Sequence, residues 1–270
     1  MVQRRLPTFF QAVCIGISLI SVLLLLAVFL GLILFSSPEA LIASFLSEEI
    51  WYAIQLSVIT AVISTLICLI LAVPIAYSMV RFTFFGKQWV NVLLNLPLSL
   101  PPLVAGVALL IFLSPVTSPV GQFFTSLGIY VVYTPVAIVI AQVFVNAPYM
   151  VRIARSTFSM ISQRYEHVAR TLGCSEFGAF RKITLPMAKN GLIGGVIITW
   201  SKAMGEFGAV LMLAGAIAMK TETLPIALFL NMSTGDLDMA IAAALILLMI
   251  SGTALILFEY FGKDTGDVYA

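Results

Sequence analysis

Charge is what this sequence has least of. Only 10% of its 270 residues are Asp, Glu, Lys or Arg, against 61% hydrophobic residues, and the mean hydropathy is +1.11. A soluble domain carries about 25% charged residues, so this chain cannot coat a water-facing surface, and lipid must surround most of it. Histidine and cysteine are scarce too. One histidine, His167, and three distant cysteines, Cys14, Cys68 and Cys174, make neither a disulfide framework nor a His/Cys metal cluster. No G-x-x-x-x-G-K-[ST] phosphate loop occurs. The longest stretch that is not plainly apolar, about 40 residues from Arg152 to Lys189, is too short for an ATPase domain. Any ATP used here must be bound by another polypeptide, and no nucleic-acid partner is expected.

What is present is long apolar runs. A bilayer core needs about 20 apolar residues per helix, and six segments meet that length. The first spans about 9–35. Its apolar run is too long for a signal peptide, whose core is about 7 to 15 residues, so a retained anchor is expected. The second, about 50–80, holds no charged residue and carries Pro74 near its end. The stretch 88–151 also lacks Asp, Glu, Lys and Arg, but Pro115, Ser118, Pro119, Gly121 and Gly128 interrupt it. Two helices are therefore expected there, at about 90–113 and 130–154. The fifth and sixth are expected at about 191–213 and 239–260. The fold class is all-α and polytopic, with one transmembrane domain over 1–270.

Lysine and arginine set the orientation. With both termini cytoplasmic, 12 of the 14 basic residues lie inside; Lys220 lies outside and Lys202 lies within the fifth span. The outer loops then hold Glu39, Glu48, Glu49, Glu222, Asp236 and Asp238.

The longest inner loop, about 160–187, has an internal pattern. Tyr165, Val168, Ala169 and Leu172 recur at i, i+3, i+4 and i+7 and make one apolar helix face. Gly173 suits a helix C-terminus, and Ser175 suits the N-cap of a second short helix, with Glu176 in its first turn. Pro186 precedes the fifth span. Such a pair of helices could rest on lipid or fit a groove on a partner. From Gly173 nine residues lead to Ile183-Thr184-Leu185-Pro186. This stretch resembles the coupling loop of ABC importer permeases, E-A-A-x-x-x-G, nine residues, I-x-L-P. The motif's glutamate falls on His167, with Glu166 just before it; Val168 replaces the first alanine and Ala169 matches the second. The resemblance implies that this loop docks into a cleft of the ATPase, with Tyr165, Val168, Leu172, Phe177 and Phe180 as contacts. Glu166, His167, Ala169, Arg170, Gly173, Ile183, Leu185 and Pro186 complete the coupling set.

Two further segments bear on the pathway. Pro97, Ser99, Pro101, Pro102 and Gly106 open the third span, and three prolines in six residues disrupt a regular helix. Irregular backbone at membrane depth must be buried in protein or line a wet cavity, although a kink at the membrane surface would need no function. The fifth span reads Trp200-Ser201-Lys202-Ala203-Met204-Gly205-Glu206-Phe207-Gly208. If helical, it puts Lys202 and Glu206 on one face, where they could pair or line a pathway. Charges at this depth are costly, about 2.5–3.5 kcal/mol each on insertion scales, and should not face lipid. Ser201, Met204, Gly205, Phe207 and Gly208 surround them. With Thr223-Leu224-Pro225, these stretches are similar to permeases of the molybdate, tungstate and sulfate importer group. That group implies a homodimer in the cell membrane, two ATPase subunits carrying ATP and Mg, and an external oxyanion-binding protein. It implies molybdate or tungstate as cargo, with sulfate or thiosulfate as the alternative, and no cofactor or metal on this chain. A secondary transporter would instead show internal repeats, and none is visible.

Overall fold

A computed structural model of the protein describes residues 8–35 and 38–262. Among these residues there are thirteen α-helices and no strand. The chain opens with α1 (Phe9–Phe35), a short α2 (Pro38–Phe45) and the long α3 (Glu48–Arg81). Ser47 caps α3 by accepting the Ile50 N–H at 3.3 Å, and Glu48 and Glu49 occupy its first turn, where the helix dipole favours acid. α3 inverts the amphipathic rule of soluble helices. Most of its buried positions are small, with Ala53, Ser57, Ala61, Ser64, Ala72 and Ala76 recurring at helical spacing. Its large apolar residues, Ile59, Val62, Ile63, Leu66 and Ile70, point outward. In lipid apolar side chains gain nothing by turning inward, and small residues let helices approach closely.

The partner of α3 is α7 (Pro135–Met160), which lies along it as the spine of the molecule. α10 (Leu185–Met204) packs on both, and α13 (Leu237–Gly262) packs on α10 and on α12 (Leu224–Thr234). Three apolar clusters follow from this arrangement. The first joins α7 to α5 (Pro102–Leu113) and α11 (Gly208–Ala214). The second joins α3, α7 and the start of α10 near Met150 and Phe158. The third joins α3, α12 and α13 around Ile50 and Met204. α1 stands apart, touching chiefly α13, and nearly all its described side chains are exposed, as suits a helix bathed in lipid.

Four helices are long and apolar enough to cross a bilayer, and six spans result if two bent pairs each count once. Three expectations need correction. The third span is not one helix over 90–113: it is α4 (Lys87–Ser99) and α5, bent by 111°. Pro97 is accommodated inside α4, and the break falls at Leu100 and Pro101, with Pro102 opening α5. The fifth span is not one helix over 191–213 either. α10 stops at Met204, and α11 leaves at 58°. The fourth span runs later than 130–154, because Pro135 at its first turn sets its start. Between spans lie α6 (Pro119–Ser126), α8 (Arg164–Thr171) and α9 (Glu176–Ala179).

Candidate functional site: a locked loop and two broken spans

α8 and α9 form a corner. Gly173 makes the turn at φ +91°, a conformation side chains disfavour. The Cys174 N–H closes α8 on the Ala169 carbonyl at 3.1 Å. Ser175 then caps α9 by accepting the Gly178 N–H at 3.1 Å. Beyond α9 the helix does not end. A π-turn over Phe180–Thr184 carries it into α10, so that Glu176–Met204 is one continuous rod.

Glu166 locks this corner to the bundle. Its carboxylate accepts from Arg81 Nε at 2.8 Å, Thr184 Oγ1 at 2.7 Å and the Tyr77 hydroxyl at 3.0 Å. Arg81 also donates to the Ile161 carbonyl at 2.9 Å. The end of α3, the end of α7, α8 and the π-turn therefore meet at one buried charge. Burial alone would raise the pKa of Glu166. The hydrogen bonds from Thr184, Arg81 and Tyr77, with the Arg81 charge, outweigh that and hold it below its ordinary value. Rings pack beneath it, Tyr77 on Phe180 at 4.7 Å and on Phe158 at 5.9 Å.

The other side of the corner is bare. Tyr165 and Val168 are half exposed, Phe177 is 70% exposed and Leu172 81% exposed. The four-residue pattern thus divides: Tyr165, Val168 and Leu172 face outward, whereas Ala169 turns inward with Glu166. Ala169 does not belong to the outer face, because an alanine fits against the bundle where a larger side chain would not. Phe180, expected as a partner contact, is committed to its own chain through Tyr77 and Phe158. Ile183 and Leu185 are half buried, and His167, Arg170 and Pro186 are exposed. The inward carboxylate is Glu166, and His167 points away from the lock. Sequence reading missed Tyr77, Arg81 and Thr184 as partners of Glu166. The available signal was Arg81, a lone charge closing an uncharged span.

The two breaks touch. A Cβ on Gly106 of α5 would lie 2.8 Å from the Ala209 Cα of α11, and one on Gly208 would lie 2.9 Å from the Pro102 Cβ. Only glycine at both places permits this crossing. Glu206 does not share a helix face with Lys202, because the helix has ended. Its Oε1 instead accepts the Ala209 N–H at 3.0 Å and caps α11. Lys202 is exposed, with Nζ 4.0 Å from the centre of the Tyr149 ring. Gln142 of α7 is wholly buried and was not anticipated. Its amide donates to the Ala203 carbonyl at 2.9 Å, supporting the turn where α10 gives out. Met204 and Gly106 are buried, Ser201, Phe207 and Pro97 are half buried, and Ser99, Pro101, Pro102 and Gly205 are exposed. No group of three His, Cys, Asp or Glu residues that could hold a metal occurs among the described residues.

Residues 69–265 match the family described as "Binding-protein-dependent transport system inner membrane component". The chain belongs to this family of multi-pass inner-membrane permeases. As an ABC importer permease it is 34% identical, over 97% of its length and 94% of the relative's, to a Haloferax volcanii protein named "Probable molybdenum ABC transporter permease protein". It is 30% identical, over 95% and 92%, to the sulfate transport system permease protein CysT of Salmonella typhimurium. The permease fold is also that of a bacterial alginate ABC transporter solved with a pentasaccharide-bound periplasmic protein, at TM-score 0.71, 15% identity and coverage of 95% and 94%. That likeness concerns the fold alone.

Proposed function

We propose that this permease admits a tetrahedral oxyanion, molybdate or tungstate, as a homodimer driven by two ATPase subunits and supplied by an external binding protein. The observation that carries this reading is the corner of α8 and α9: an apolar ridge left bare on the outside and locked by a buried charge on the inside. That is the form a force-transmitting contact requires, since a loose loop would absorb displacement. In this reading the end of the bundle bearing Arg81 is cytoplasmic, in keeping with the arginine and lysine distribution. An ATPase cleft receives Tyr165, Val168, Leu172 and Phe177. The pathway runs beside the broken spans, where α5 and α11 cross, and the whole chain acts as one transmembrane domain. Weak contacts suffice for passage, so tight recognition belongs to the binding protein.

Sulfate is the second reading, favoured by the likeness to CysT. Proteoliposomes holding the permease, its ATPase and the binding protein decide between them by uptake of tungstate, molybdate and sulfate in competition. Preference for sulfate overturns the cargo named first. Gly173→Leu, which strains the corner, is expected to abolish ATP-driven uptake while the protein still inserts in the membrane. Normal uptake by that variant would refute the coupling role.

A further inference from the structure

A tyrosine and two arginines line one flank of α7. Tyr149, Arg152 and Arg155 follow each other at three-residue intervals, about 4.5 Å of rise per step. The uppermost position holds a fourth residue, since Lys202 sits on the Tyr149 ring at 4.0 Å. Below it Arg152 donates to Asn95 Oδ1 at 3.2 Å and Arg155 to Asn91 Oδ1 at 2.5 Å. Both asparagines belong to α4, the helix that ends at the 111° break. A cleft of about 60 Å³ opens between the two helices at these residues.

What these arginines lack is an acid. Among the described residues the one ion pair is Arg81–Glu166, so neither Arg152 nor Arg155 is held by a carboxylate as Arg81 is. Arg152 and Arg155 instead receive neutral amide oxygens, which aim a guanidinium without cancelling its charge. Each keeps most of its five N–H donors for another acceptor. Guanidinium forks match the edge of a tetrahedral oxyanion. The same chemistry belongs to a free dianion and to a lipid headgroup phosphate. The stair lies directly below the break in the third span and leads from it to the end bearing the coupling corner, which favours the free ion.

We infer that Lys202, Arg152 and Arg155 form a descending anion stair, with the Arg152–Arg155 pair as the site where the tetrahedral oxyanion is last held before release inside. This rests on the oxyanion reading above. The test uses the complete transporter in nanodiscs and proteoliposomes, with sodium tungstate as probe. Tungstate retained by the nanodisc complex without binding protein is measured by equilibrium dialysis and elemental analysis, and uptake is measured in parallel. Loss of charge-assisted hydrogen bonds predicts a fall of about tenfold or more in both for Arg152→Gln/Arg155→Gln. Asn91→Asp/Asn95→Asp, which keeps the arginines but neutralises them, should fall likewise, and Arg152→Lys/Arg155→Lys should keep part of the binding. Co-purification with the ATPase establishes that each variant is folded.

Wild-type binding and uptake in the glutamine and aspartate variants would overturn the stair. So would a loss seen only in anionic lipid and absent in zwitterionic lipid, which would assign the arginines to headgroups. If the wild type imports tungstate, molybdate and sulfate not at all, the oxyanion reading itself fails, a result distinct from either.

Discussion

The two ends of α3 each meet a buried glutamate, in opposite company. At its C-terminal end Tyr77 and Arg81 surround Glu166 with donors and a positive charge. At its N-terminal end Glu49 faces Glu222, which is fully buried and accepts the Met219 N–H at 2.8 Å. Burial first, and then the hydrogen bond and charge of Glu49, push the Glu222 carboxyl up to about 7, against the lowering effect of that N–H. The Glu49 carboxyl in turn accepts from Asn231 at 2.6 Å. One residue type thus serves as a fixed anion at one end of a helix and as a proton-holding acid at the other. Environment, not residue identity, decides which. The fixed anion stands at the end for which we propose the coupling role, where a contact must pass force without yielding.

The largest effect expected comes from removing that anion. Glu166→Ala leaves Arg81, 6% exposed, buried without its partner, and should cost roughly 3–5 kcal/mol of stability. Thermal unfolding of the purified permease measures this, and an unchanged melting temperature would sink the lock. Next is Gln142→Leu, which strips the Ala203 carbonyl of a donor and should cost about 1–3 kcal/mol; an unaltered melting curve would show that the break needs no such support.

The comparison sharpens with pH. Glu222 has a folded pKa above its unfolded one, so its contribution is complete below about 4.5 and is lost as pH rises through about 7. Glu166 has the opposite sign: its contribution is present above its unfolded value and lost only in acid, as pH falls through its lowered folded value. The wild-type melting temperature should therefore fall between pH 5 and pH 8 by a component that Glu222→Gln removes. A variant that keeps the full wild-type slope would locate the titrating group elsewhere. The smallest stability effect belongs to Leu172→Ser, on the bare side of the corner, where surface changes stay within about 0.5 kcal/mol. That variant should melt like the wild type and yet lose ATP-coupled uptake, and retained uptake would break the contrast between the two sides of α8.

Much of this architecture was legible because lipid imposes length and polarity rules on every span. The break near Pro101 was readable from prolines, which cannot continue a hydrogen-bond ladder. The break at Gly205–Phe207 was not. Its residues are compatible with a helix, and what ends the helix is a distant Gln142 and a carboxylate that finds a backbone N–H on the next element. The outward direction of Tyr165, Val168 and Leu172 was half legible. Periodicity defines a face, but only packing reveals that Ala169 leaves it. Arg81 and Glu166 lie 85 positions apart, and no local pattern links residues at that distance.

The π-turn has a mechanical consequence. Because Phe180–Thr184 joins α9 to α10 without interruption, Glu176–Met204 is a beam about 43 Å long at 1.5 Å per residue. Tilting such a beam by ten degrees about one end sweeps its other end through about 7 Å, more than one full helical pitch. A modest rocking at the foot would thereby be amplified at Met204, beside the bend where α10 hands over to α11.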